Sequence, residues 1–207
     1  LVEPRRWLNH ALLGFSFFAA LNVALPLVGV RPILALEGSA VLSALALAPA
    51  FRRKGRFGWL RAHAMAVAAA VAAIFLIWFA RGLVPPAPLF LARAVVARDV
   101  ADLEPVDPAE DHVLASSTVL DWGQLAAYTA VYAPAGVRQV IRHVWWRDRT
   151  MLAHVPLPTP VQGGRLQGFR TYSRYTDLKP PITGHYRVDV LTASGQLIGR
   201  LRFTVTP

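Results

Sequence analysis

Apolar positions along this chain follow two regimes. Up to about residue 80 they form long runs, 8–30 (LNHALLGFSFFAALNVALPLVGV), 33–51 (ILALEGSAVLSALALAPAF) and 62–80 (AHAMAVAAAVAAIFLIWFA). Each approaches the roughly 20 residues that cross a hydrocarbon core, so three transmembrane helices are predicted. From Leu89 the runs shorten to LARAVVARDV, HVLASSTVL, QLAAYTAVYA, VRQVIRHVWW, TMLAHVPL, LQGFRTYSRY, HYRVDVLTA and QLIGRLRFTV, separated by Pro, Gly and Asp clusters. These are candidate strands. Alternation is clearest at the end, where Tyr186, Val188 and Val190 oppose Arg187 and Asp189, and Leu201, Phe203 and Val205 oppose Arg200, Arg202 and Thr204. One face is buried and one wet, with Ala193-Ser194-Gly195-Gln196 as a tight hairpin turn. The predicted fold is α + β in separate domains: a three-helix transmembrane region over 1–82, a Pro-rich linker over 83–88 (LVPPAP), and an all-β immunoglobulin-like sandwich over 89–207, without a disulfide because the chain has no cysteine.

Charge orients the helices. The connector 51–61 (FRRKGRFGWLR) carries Arg52, Arg53, Lys54, Arg56 and Arg61 and no acid. Short basic loops stay cytoplasmic. With the connector inside, Arg5 and Arg6 fall inside as well, while Arg31 and Arg81 fall outside, seven basic residues against two. The expected location is the inner (plasma) membrane, multi-pass, with a cytoplasmic N-terminus and the β domain in the periplasm or outside the cell. A signal peptide is the competing reading of the first run, which is too long and lacks a small-x-small cleavage site. Leu1 in place of Met suggests a start inside a longer precursor.

Polar residues at membrane depth are costly and therefore candidates for function. Glu37 is expected in an intramembrane ion pair with Arg31 or Arg81. His10 and His63 lie at similar depth near the cytoplasmic ends of their helices, as two axial cofactor ligands would, although interfacial hydrogen bonding is the simpler role. No cofactor is expected. Asn9 and Asn22 read as interhelical donors, and Gly38, Ser39 and Ser43 as a close-packing stripe.

The formal charge of +10 raises nucleic acid as a partner. Its distribution argues against that: residues 1–88 hold nine Lys+Arg and two acids, residues 89–207 thirteen and ten. Most of the excess sits beside the apolar runs, and no basic stripe that tracks phosphates is present.

In the exported half, Asp99, Asp102, Glu104, Asp107, Glu110 and Asp111 offer oxygen ligands, but they lack the spacing and turn glycine of a calcium loop and read as a solvated loop. His112, His143, His154 and His185 with Asp121, Asp148 and Ser116 or Ser117 contain no nucleophile elbow or metal-spaced pair. Trp122, Trp145, Trp146, Tyr172 and Tyr175 with Arg170 and Arg174 make the aromatic and guanidinium mixture of binding surfaces. Neighbours on a strand point to opposite faces, so one of Trp145 and Trp146 faces out. Alternation alone leaves open which; Val144 shares a face with Trp146 and is apolar, which favours Trp145 as the exposed ring, and the patch is completed by Arg147 and Arg149.

HVWWRDRTMLAHVPLP, GGRLQGFRTYSR and GHYRVDVLTASGQLIGRLRFTV together resemble a bacterial family of uncharacterised multi-span membrane proteins with a small C-terminal β domain, a domain of unknown function. The likeness covers residues 90–207 well and the helices loosely. It is most specific at His143-Val144-Trp145, Gly163-Gly164-Arg165 and the closing hairpin. It implies architecture only. The expected function is that of a membrane-anchored, non-enzymatic accessory or assembly subunit whose periplasmic sandwich binds a protein partner in a larger membrane complex. The alternatives are a glycan- or envelope-polymer-binding module and, remotely, a cofactor-ligating or hydrolytic membrane protein. The lipid bilayer and a membrane-protein complex are the expected partners.

Overall fold

The computed structural model describes residues 6–51, 58–80, 88–109 and 111–207. Two compact units, Leu1–Ala87 and Pro88–Pro207, divide the chain.

The first unit holds helices α1 (Arg6–Leu27) and α2 (Pro32–Ala46), a 3-10 turn (Ala48–Phe51) and helix α3 (Gly58–Ala80). Three segments, Leu8–Leu27, Pro32–Ala50 and Gly58–Ala80, are long and apolar enough to cross a membrane. Pro32 stands in the first turn of α2, where its missing N–H is no loss. Small residues four apart, Gly58, Ala62, Ala66 and Ala70 on α3 and Ala35, Ser39 and Ser43 on α2, are buried, and on α2 Pro32 and Leu36 join them. On α1, a Cβ at Gly14 would lie 2.5 Å from Leu47 Cδ1. Large apolar side chains point outward instead, with Phe75 73% and Phe79 93% exposed. Small residues inside and large ones outside is the packing that helices adopt in lipid, where close backbone approach replaces the hydrophobic drive. α3 begins earlier than the expected 62, so Arg61 lies in its first turn and not in the connector. Arg5, Arg52, Arg53, Lys54, Arg56 and Arg81 lie outside the described residues.

The second unit contains β1 (Phe90–Ala101), β2 (Glu104–Ala109), β3 (Val113–Ala115), α4 (Ser116–Trp122), β4 (Leu125–Tyr132), β5 (Arg138–Gln139), β6 (Ile141–Arg147), β7 (Thr150–Pro156), β8 (Val161–Gln162), β9 (Phe169–Tyr175), β10 (Gly184–Thr192) and β11 (Leu197–Thr206). A four-stranded sheet, β2-β1-β4-β9, packs on a five-stranded one, β3-β11-β10-β6-β7. In the lettering of immunoglobulin domains β1-β4-β9 is A-B-E and β11-β10-β6-β7 is G-F-C-C′. Two further marks of that fold are present. Trp145 is wholly buried on strand C, and the Tyr186 hydroxyl, near the start of strand F, donates to the Ile182 carbonyl at 2.7 Å, a tyrosine corner. Two residues on, where the second disulfide cysteine of antibody domains would stand, Val188 is fully buried.

Three expectations are corrected here. Asp99, Asp102, Glu104 and Asp107 of the acidic stretch expected as a loop stand in the β1–β2 hairpin, with Asp102 and Leu103 at positive φ in its turn, and Glu110 lies outside the described residues. HVLASSTVL is a three-residue strand followed by a helix that Gly123 ends in the left-handed conformation. Trp145 faces inward: it stacks on Tyr175 at 5.7 Å and meets Phe203 edge-on. Val144 is the outward neighbour, in register with Asp189 and His154, and is nonetheless buried because long side chains around it cover it.

Candidate functional site: the outer face of the five-stranded sheet

Alternation on β6, β10 and β11 sends Arg142, Val144, Trp146, Arg187, Asp189, Arg200 and Arg202 to the face that does not pack on the other sheet. Register sets them in rows: Arg202, Arg187 and Trp146 lie side by side across three strands, and Arg200, Asp189 and Val144 form the next row. The Arg187 guanidinium carbon sits 4.9 Å from the Trp146 ring centroid. Asp189, largely covered, is held between Arg200 at 2.9 Å and Arg187 at 3.2 Å. Four arginines against one aspartate leave the face basic. Arg142 Nε, Trp146 Nε1 and Arg187 Nε are buried on it without a hydrogen-bond acceptor among the described residues, Arg187 Nε being in ion contact with Asp189.

The expected patch is therefore redrawn. Of Trp145, Trp146, Arg147 and Arg149, only Trp146 belongs to this face. Arg147 donates to the Pro181 carbonyl at one end of the core, and Arg149 is exposed in the β6–β7 turn. Arg187, Arg200 and Arg202 take their place. The alternation of the last two strands already marked them as wet; what it lacked was the strand that lies beside them.

The histidines separate. His143 is fully buried between the sheets. Its Nε2 lies 3.1 Å from Thr129 Oγ1, its Nδ1 2.8 Å from Ser173 Oγ, and Thr129 Oγ1 is 3.0 Å from Thr171 Oγ1. The Trp145 indole donates to Ser173 Oγ at 2.9 Å. Ser173 accepts from Trp145, and a neutral imidazole satisfies the rest by taking the Ser173 proton at Nδ1 and donating its own from Nε2 to Thr129. Burial pulls the His143 pKa down to about 4. This is a satisfied polar strut inside the core. His112, Asp111, Asp148 and His185 line an open hollow of about 530 Å³. There Asp148 Oδ1 accepts from the His185 backbone N–H and the His185 ring meets Thr204 Oγ1. Among the described residues no Ser–His–Asp relay is formed and no group of three metal-ligating side chains occurs.

A second hollow, about 450 Å³, lies among Leu103, 155–159 and 169–174. Arg170 is in line with Arg93 through Ala130, whereas Glu104 pairs with Ala101, eight residues or about 26 Å farther along β1. Yet Arg170 and Glu104 form an ion pair. The β1–β2 hairpin must therefore fold over the outer face of the four-stranded sheet, covering Val95, Val100, Ala126 and Tyr128. A second latch, Arg174 to Asp99 at 2.7 Å, holds the Asp99 carboxyl below its ordinary range.

In the helical unit, Glu37 is half-buried on α2 and makes no ion pair with Arg31. Six residues of helix turn the two about 120° apart. His63 bonds the Trp59 carbonyl one turn back at 2.8 Å, while His10 is exposed on α1.

The model of a family of unknown function, DUF5924, matches residues 1–127, more than half of the chain. The chain belongs to that family. A second model, a protein of unknown function (DUF2914), matches residues 138–205. The DUF5924 match ends inside β4, the central strand between β1 and β9, so the boundary between the two models cuts through the sandwich. No curated protein matches this DUF5924 member. Among solved structures, an immunoglobulin-like protein from Pseudomonas aeruginosa is similar at 9% identity and TM-score 0.36, over 57% of this chain and 96% of that one. A GH2 beta-galacturonidase from Eisenbergiella tayi (11% identity, TM-score 0.31) and a beta-glucosidase from Listeria innocua (13%, 0.28) are matched over only 18% and 15% of their lengths.

Proposed function

We propose that this chain is a membrane-anchored, non-enzymatic accessory subunit whose sandwich, on the exported side of the plasma membrane, binds the acidic surface of a protein partner through the outer face of the five-stranded sheet. The observation that carries this reading is the Arg202–Arg187–Trp146 row on a sheet face with four arginines to one aspartate. Trp and Arg are also the residues in which binding energy concentrates. The seven-to-two asymmetry of basic residues supports the orientation. Native mass measurement of the full chain purified in mild detergent tests the reading. A co-purifying protein subunit is expected, and it is expected to be lost in the double variant Trp146→Ala, Arg187→Ala while the sandwich keeps its near-ultraviolet circular dichroism. Retention of that subunit by the double variant, or capture of an anionic polysaccharide in its place, would refute it. Alkaline phosphatase fused after Pro207 is expected to be active, since it folds only outside the cytoplasm.

A further inference from the structure

The two ends of the sandwich differ in chemistry. Register places Phe90 of β1, Tyr132 of β4, Phe169 of β9, Ile141 of β6 and Thr192 of β10 at one end. The loops 133–137 and 163–168 and the turn 193–196 close that end, and Pro88 and Leu89, the first described residues after α3, enter there. Segments 88–93, 129–142, 156–170 and 190–200 contain no acidic residue. Arg170 and Arg200 reach Glu104 and Asp189, leaving, in these segments, Arg93, Arg138, Arg142 and Arg165 without a carboxylate among the described residues, of which Arg138 and Arg165 stand at the closing loops. Asp111, Asp121, Asp148 and Asp177 belong to the loops, turns and α4 at the opposite end.

Apolar groups project from the same end. Leu166 is 92% exposed and Phe90, stacked on Tyr132 at 4.7 Å, is 52% exposed. A single exposed leucine is ordinary. Here the loop that carries it is fixed: Gly163 and Gly164 donate to the Val137 and Ala133 carbonyls, both at 2.9 Å, and Gly168 donates to Arg165 at 3.0 Å. A Cβ at Gly163 would lie 1.7 Å from the Pro134 carbonyl oxygen, so this backbone rests directly on its neighbour. Beneath it lies the buried cluster of Leu89, Val137, Ile141, Leu157, Val161 and Phe169. Arg165 sits over the Phe169 ring at 5.0 Å, beside Leu166. A rigid platform presenting leucine, aromatic rings and guanidinium groups, whose neighbouring carboxylates Glu104 and Asp189 are each held by an arginine, matches the headgroup layer of a bilayer. Aromatic rings and apolar tips settle at the interface, and arginine pairs with lipid phosphate there.

We propose that this end of the sandwich rests on the anionic headgroups of the membrane, with Leu166 and Phe90 among them and Arg138 and Arg165 on lipid phosphates. The proposal rests on the reading of the three helices as a membrane anchor and is independent of the partner face. The chain has no cysteine, so Leu166→Cys in the full chain can carry a single polarity-sensitive fluorophore. Leu120→Cys, on α4 at the opposite end and also exposed, is the control. In nanodiscs containing anionic phospholipid and headgroup nitroxides, the label at 166 is expected to be blue-shifted and quenched several-fold more than the label at 120. Adding Arg138→Glu and Arg165→Glu, or using only zwitterionic lipid, is expected to reduce that difference. Equal quenching at the two positions, or a label at 166 as open to a water-soluble quencher as the label at 120, overturns the docking while leaving the anchor in place. A chain that does not enter nanodiscs overturns both. Loss of the partner in Trp146→Ala with quenching at 166 unchanged keeps the lipid contact apart from the partner reading.

Discussion

The strut inside the sandwich makes stability depend on pH in a window that few other groups share. His143 is fully buried and its neutral ring already has a hydroxyl at each nitrogen. A second proton would charge a group cut off from water and aim an N–H at Ser173, whose own proton would then lose its acceptor. The native pKa is therefore about 4 against an ordinary 6.5. The sign follows from proton uptake: the unfolded chain binds a proton at His143 below 6.5 and the native chain does not until about 4, so stability is complete above 6.5 and falls as pH drops through the window. At 1.36 kcal/mol per pH unit the whole difference is about 3 kcal/mol, of which about 2 kcal/mol is lost by pH 5. Asp99, held low by Arg174, contributes only at more acidic pH. Urea unfolding of the sandwich in the full chain, followed by near-ultraviolet circular dichroism in detergent between pH 7.5 and 5, measures this. His143→Gln, which can still donate and accept, is expected to be less stable at pH 7.5 and nearly flat with pH. An unchanged slope in that variant, or a flat wild type, would refute the reasoning.

The two adjacent tryptophans are expected to part company. Trp145→Ala should lower stability by about 3–5 kcal/mol, read by urea midpoint, whereas Trp146→Ala should change it little and weaken partner binding by about 2 kcal/mol. Residues 88–207 expressed alone should give a cooperative, strand-dominated unfolding transition, and 138–205 should give none, because the shorter piece lacks β1 and β4 and so leaves β9 unpaired. Gly163→Ala should destabilise the sandwich and broaden the signal of a label at 166, since the new methyl overlaps the Pro134 carbonyl; an unchanged melting temperature would contradict the rigid platform.

Local pattern by itself determined much of the architecture. Run length separates 8–80 from the β domain because a helix in lipid must be apolar for its whole span, and the period-two alternation of Tyr186–Val190 and Leu201–Val205 placed each side chain on its own strand. Alternation is blind to parity, however. It says that Trp145 and Trp146 oppose each other, but which one is inside depends on which face the other sheet covers, and that is decided by β4 and β9, far away in sequence. The same limit hid the strut, whose partners lie 14 and 30 residues from His143. It also hid the row of Arg202, Arg187 and Trp146, since β6 reaches β10 only after β7, β8 and β9 have been traversed. The acidic stretch departs from its expected loop for a related reason: its hairpin is held by Arg170 and Arg174, 66 and 75 residues onward, and charge with no partner nearby in sequence has the pattern of a solvated loop. Short-range periodicity is written by each segment's own contact with water or lipid, whereas a site assembled across strands exists only once the chain has closed on itself.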